Sequence, residues 1–188
     1  MIRSLEDYTE ELRAPDEAEF EARGGLGRYY FDFLEAMHAF NRAQKLPTGL
    51  LTNDEHCLQA ATRAERAGEP AELVAATLFH DLFDGWNHDA FAAELLRPFV
   101  SEETLWIVQH HGTFQKFHKP DLTDEQRNER ERYRNSPHFD RCAEFCASYD
   151  APSFDADYDT LPLEHFRPLV EAFFAGSYFA ENARTGTG

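Results

Sequence analysis

The chain has 188 residues, 18 Lys+Arg against 35 Asp+Glu, and a formal net charge of −17. That length suits one domain with a sizeable buried core, and the charge argues against a nucleic-acid-binding body. No apolar run approaches the ~20 residues of a membrane span, and the acidic N-terminus lacks the basic region of a signal peptide. In chain order, residues 26–40 place Leu26, Tyr29, Tyr30, Phe33, Leu34 and Met37 at the 3–4 rhythm of an amphipathic helix. Asn53 or Asp54 can cap a helix running to about Ala67, where Ala-Gly-Glu-Pro breaks it. Residues 71–82 form a second, almost wholly apolar and therefore central helix, with Pro70 in its first turn. A third spans Asp89 to Pro98, and Ser101 with Glu102 and Glu103 opens a fourth that continues to about His111. Residues 112–124 read as the longest irregular stretch and 127–134 as a charged, solvated turn or short helix. Further helices fit 137–149 and 163–174, with a Pro- and Asp-rich loop over 150–160 between them. The fold class is therefore all-α: one domain over 1–188, with an N-terminal helical segment (1–50), a core (51–175) and a frayed tail (176–188).

Cys57, Cys142 and Cys146 do not make a disulfide framework and read as reduced thiols, which suits the cytoplasm. The nine histidines carry more information. His80-Asp81 ends a buried apolar helix, where a polar pair is costly unless a cation compensates its desolvation. His56 lies one helix earlier and can return beside it through the 67–70 turn. His88 follows, His110 and His111 end the fourth helix, and Asp150 ends the segment Phe145 to Asp150. Candidates at the ends of successive antiparallel helices are how bundles build a core metal site. Six such groups exceed one tetrahedral zinc, whereas two cations sharing a carboxylate use all of them, and Asp81 is the natural bridge.

This order of residues resembles the HD-domain superfamily, and within it the mixed-valent di-iron oxygenases that include myo-inositol oxygenase and the hydroxyphosphonate-cleaving dioxygenases. The resemblance runs from about Leu51 to Phe174 and rests on Glu55-His56-Cys57-Leu58-Gln59, Leu78-Phe79-His80-Asp81, Trp86-Asn87-His88-Asp89, Val108 to Gly112 and Tyr149-Asp150. It implies an HD-domain-type helical bundle with the metal site in its core, and two Fe ions, Fe(II)/Fe(III). One would be held by His56, His80, Asp81 and Asp150, the other by His88, His111 and the shared Asp81. His111 is preferred to His110 because it directly precedes the glycine. The implied activity is oxidation of a small substrate with O2, through C–H abstraction and bond cleavage.

The chain departs from those relatives where they grip substrate with cationic or imidazole groups. The corresponding positions here are Asp84, Phe154 and Gln115, with Lys116 and Lys119 able to compensate only if their loop folds inward. The expected substrate is therefore less charged: a small hydroxylated or amino-alcohol-type compound. Glu55, Asp89, His110 and His118 complete the candidates for supporting the ligands or meeting the substrate. His38, His138 and His165 read as packing or surface histidines. Phe114, Phe117, Phe154 and Tyr158 either close the core or line a cleft. The alternatives are an HD-type phosphohydrolase using Mn or Mg, and a metal-binding helical scaffold without catalysis. The expected partners are a small molecule and O2, with no nucleic acid and no membrane, in a monomer or small homo-oligomer.

Overall fold

A computed structural model describes residues 22, 24–43, 51–82 and 87–175. Every regular element among them is helical: α1 (Gly25–Ala43), α2 (Asn53–Arg66), α3 (Ala71–Phe79), α4 (His88–Leu96), α5 (Glu102–Gln115), a 3₁₀ turn (Lys116–His118), α6 (Asp124–Arg127), a second 3₁₀ segment (Asn128–Tyr133), α7 (Phe139–Phe145), a π turn (Cys146–Asp150) and α8 (Leu163–Phe174). The all-α architecture is thus shown. Among the described residues, no helix is long and apolar enough to cross a membrane. The expected tail (176–188), most of the N-terminal segment and Asp84 lie outside the described residues.

The central helix is α3. Leu73 through Phe79 are all buried, so it has no solvent face to keep polar. It pairs with α2 through the break at Gly68, whose φ of 80° favours glycine. Tyr30 of α1 stacks on Phe174 of α8 at 4.0 Å and 9°, and Phe79 meets the same ring edge-on. Burying a side chain such as Phe79 or Phe174 contributes about 1.5–3 kcal/mol to this junction. Gly27 lets α1 approach α8 closely, because a Cβ there would overlap the Glu171 carbonyl oxygen.

Four local expectations need correction. Thr52, not Asn53 or Asp54, caps α2. It has extended dihedrals, and Glu55 reaches back to accept from its N–H at 2.9 Å. Asp54 is instead buried and accepts from Arg42 at 3.2 Å. Helix α3 stops at Phe79 rather than Leu82, and the His80 ring bonds the Thr77 carbonyl at its end. Helix α5 runs one turn past His111, because buried Phe114 and Gln115 anchor that turn. The stretch 112–124 is accordingly not irregular throughout. Finally, α7 gives way to the π turn over Cys146–Asp150 rather than continuing as a regular helix, and the Ala151 N–H bonds the Cys146 carbonyl at 2.9 Å. Wide turns of this kind often sit at functional positions, and the last residue of this one is Asp150.

Candidate metal centre

Five elements converge on one buried region. His56 comes from α2, His80 and Asp81 from the end of α3, His88 from the first residue of α4, His111 from α5 and Asp150 from the π turn. His56, His80, His111 and Asp150 are buried, whereas Asp81 is 19% exposed and His88 is partly exposed. Two sets of ligand atoms each lie within 4.8 Å of one another: His56, His80 and Asp81, then Asp81, His88 and His111. Asp81 belongs to both. Its Oδ2 is 3.7 Å from His56 Nε2 and its Oδ1 is 3.4 Å from His88 Nε2. The two oxygens of one carboxylate thus face two different imidazole groups.

Asp150 completes the first set. Its Oδ1 is 3.2 Å from His56 Nε2 and 3.8 Å from His80 Nε2, and those two nitrogens are 3.3 Å apart. Three of the rings are aimed by backbone carbonyls. His56 Nδ1 meets Ser153 O at 2.9 Å, His80 Nδ1 meets Thr77 O at 2.7 Å, and His111 Nδ1 meets Val108 O at 2.8 Å. Each carbonyl accepts from the N–H on Nδ1 and turns Nε2 toward the centre, the arrangement that metal-ligating histidines use once Nε2 has given up its proton.

The electrostatics follow from this packing. Burial pushes the His56 imidazole toward neutrality, but its hydrogen bond to Asp150 and the charges of Asp150 and Asp81 outweigh that and raise its pKa. Burial also pushes the Asp150 carboxyl up, yet hydrogen bonds and charge from His56 and His80 hold it well below the ordinary carboxylate range. His111 goes the other way: burial, with His80 beside it, brings its pKa down to about 4. A neutral His111 is the form that can donate a lone pair. Its Nε2 and Asp150 Oδ2 are buried with no hydrogen-bond partner among the described residues. Orphaned polar atoms of this kind cost about 1–3 kcal/mol each, and a cation among them removes that cost. The donor set of imidazoles and carboxylates fits Fe, Mn or Zn, so the residues present suit a resident metal pair.

The other candidates divide. Gln115 is 8% exposed and donates to Asp150 Oδ1 at 2.8 Å. Phe154, 57% exposed, stacks on the His56 ring at 4.2 Å and 15°. Asp89 accepts from Ala90 N at 2.8 Å, with its other oxygen toward Gly112. The remaining candidates lie away from the ligand atoms or are engaged elsewhere. Glu55 is spent on the cap of α2. His110 turns away from the centre to pack on Trp106 at 4.3 Å and Tyr133 at 4.5 Å, and burial lowers its pKa. Lys116 is paired with Glu129 at 2.6 Å and does not stand free to meet a substrate. His118 is exposed, edge-on to Phe117. Phe114 is core, Phe117 lies under Arg130 at 3.5 Å and Tyr158 under Arg63 at 3.8 Å. His38 is buried, and among the described residues neither ring nitrogen has a hydrogen-bond partner, with Asp54 Oδ2 3.5 Å away.

Sequence reasoning missed the three orienting carbonyls. A sign of two of them is the i−3 relation of Thr77 to His80 and Val108 to His111, which one helical turn brings together. The Ser153 carbonyl reaches His56 across 97 residues and has no such local sign. Neither a scan of protein-family models nor a search of curated proteins returns a match to this chain.

Proposed function

We propose that the chain is a non-haem di-iron oxygenase of the HD-domain kind, oxidising a small hydroxylated or amino-alcohol-type substrate with O2. The observation that carries this reading is Asp81, whose two oxygens face His56 on one side and His88 on the other. A single-ion site has no use for that division, and a pair of cations does. His56, His80, Asp81 and Asp150 would hold one iron; Asp81, His88 and His111 would hold the other. When bound, such a pair supplies Lewis acidity toward a substrate hydroxyl and the electrons that O2 activation requires.

The chain's own part is orientation, exclusion of water and placement of charge. The Ser153, Thr77 and Val108 carbonyls keep three imidazoles aimed with Nε2 outward to the centre. The first set offers four ligands and the second only three, so the His88–His111 side is where a substrate hydroxyl has room to bind. Asp81 and His88 are the partly exposed ligands, and the buried residues behind them keep water out from the core side. Phe154 covers one face of His56 with an apolar ring. Lys116 is held by Glu129 rather than aimed at the metals. That supports a substrate of low charge over a phosphonate or phosphate ester, which calls for free Arg or Lys donors.

The test is metal analysis and EPR on anaerobically purified protein, followed by O2-uptake assays on panels of alcohols, amino alcohols, phosphonates and phosphate esters. About two irons per chain, a coupled ferrous–ferric signal and O2 uptake with the uncharged panel are expected. Two Mn or Mg ions with phosphatase turnover would replace this reading by the hydrolase. The absence of any stoichiometric metal would leave a helical scaffold.

A further inference from the structure

Gln115 stands one helical turn after His111, on the same face of α5. In this chain the side chain turns inward. It is 8% exposed, and its amide donates to Asp150 Oδ1 at 2.8 Å. That oxygen is the one facing the imidazoles, 3.2 Å from His56 Nε2 and 3.8 Å from His80 Nε2, while Asp150 Oδ2 is buried without a hydrogen-bond partner among the described residues. A carboxylate can rotate about its terminal torsion and exchange its oxygens or present both, and a fixed N–H donor on one oxygen removes that freedom. Resting on the metal reading above, we infer that Gln115 is a positioning residue: it pins Asp150 so that one defined oxygen is presented to the His56–His80 ion. Because Gln115 and His111 share α5, the same helix that ligates one ion sets the geometry of the other. The position is thereby removed from substrate binding.

The experiment is cobalt(II) titration of the chelator-stripped full-length chain, read by competition affinity and by the visible absorption bands that report coordination number. Gln115→Met keeps the length and bulk of the side chain and lacks the donor. It is expected to weaken one cobalt site about 10–100-fold and to change that site's band intensities. The second site should stay as in the wild type, and the melting temperature of the cobalt-free protein should fall with the loss of one buried hydrogen bond. Gln115→Leu repeats the test should the first variant not fold. Wild-type protein that takes up no cobalt would end the metal reading and this one with it. Wild-type protein that binds two, with a folded Met or Leu variant matching it in affinity and spectrum, would overturn the role of Gln115 alone.

Discussion

Acid should loosen the attachment of α1 to α2, and His38 is the residue through which it acts. The ring is 2% exposed, and burial holds its pKa at about 4 against an ordinary 6.5, with Asp54 opposing the drop and Arg42 adding to it. In the unfolded chain the imidazole protonates as pH falls through 6.5; in the folded chain it does not until about pH 4. The unfolded state therefore binds the extra proton, and the stability present above pH 6.5 is lost as pH falls toward 4. Between pH 7 and pH 5 that difference comes to about 2 kcal/mol. The effect bears on the metal centre because Asp54 lies two residues before His56 on the same helix. Urea unfolding of the chelator-treated protein at pH 7 and pH 5 measures it, with His38→Leu as the comparison. His111 adds its own dependence to both proteins and cancels in the difference. The variant should lose about 2 kcal/mol less than the wild type over that interval. Parallel losses in the two proteins would refute the reasoning.

Gly27→Ala should destabilise by about 1–3 kcal/mol in urea unfolding, since its Cβ must push α1 off the Glu171 backbone; an unchanged midpoint would mean that α1 and α8 are not in such close contact. His111→Ala should lose one of two bound metals while His110→Ala keeps both, counted by elemental analysis, because only His111 has its Nε2 in the centre. Phe154→Ala should alter stability by no more than about 0.5–1 kcal/mol yet speed the extraction of metal by a chelator several-fold, since the ring shields His56. Equal extraction rates would assign Phe154 to the surface alone.

What could be read in the sequence was whatever a local pattern controls. The 3–4 rhythm of residues 26–40 and the clean bounds of 163–174 correspond to α1 and to α8. The ends of α3, α5 and α7 were not legible because non-local contacts decide them. Phe114 in the core and Gln115 against Asp150 carry α5 beyond Gly112, which a sequence reading takes as a break. At the centre, the residue types that signal metal chemistry marked His56, His80, Asp81, His88, His111 and Asp150, and the fold brings them together. The supporting roles were less visible. Glu55 and Lys116 look available in the sequence, but one closes a helix cap and the other an ion pair. His110 and His111 are adjacent and chemically identical, and only the helix face separates them: one packs on Trp106 and Tyr133, the other points inward.

Anomalous diffraction at the iron edge, from crystals of protein purified with its metal, addresses the shared carboxylate most directly. Two peaks about 3.5–4 Å apart are expected, one among His56, His80 and Asp150, the other beside His88 and His111, with one oxygen of Asp81 on each. A single peak, or two that do not share Asp81, would contradict the account.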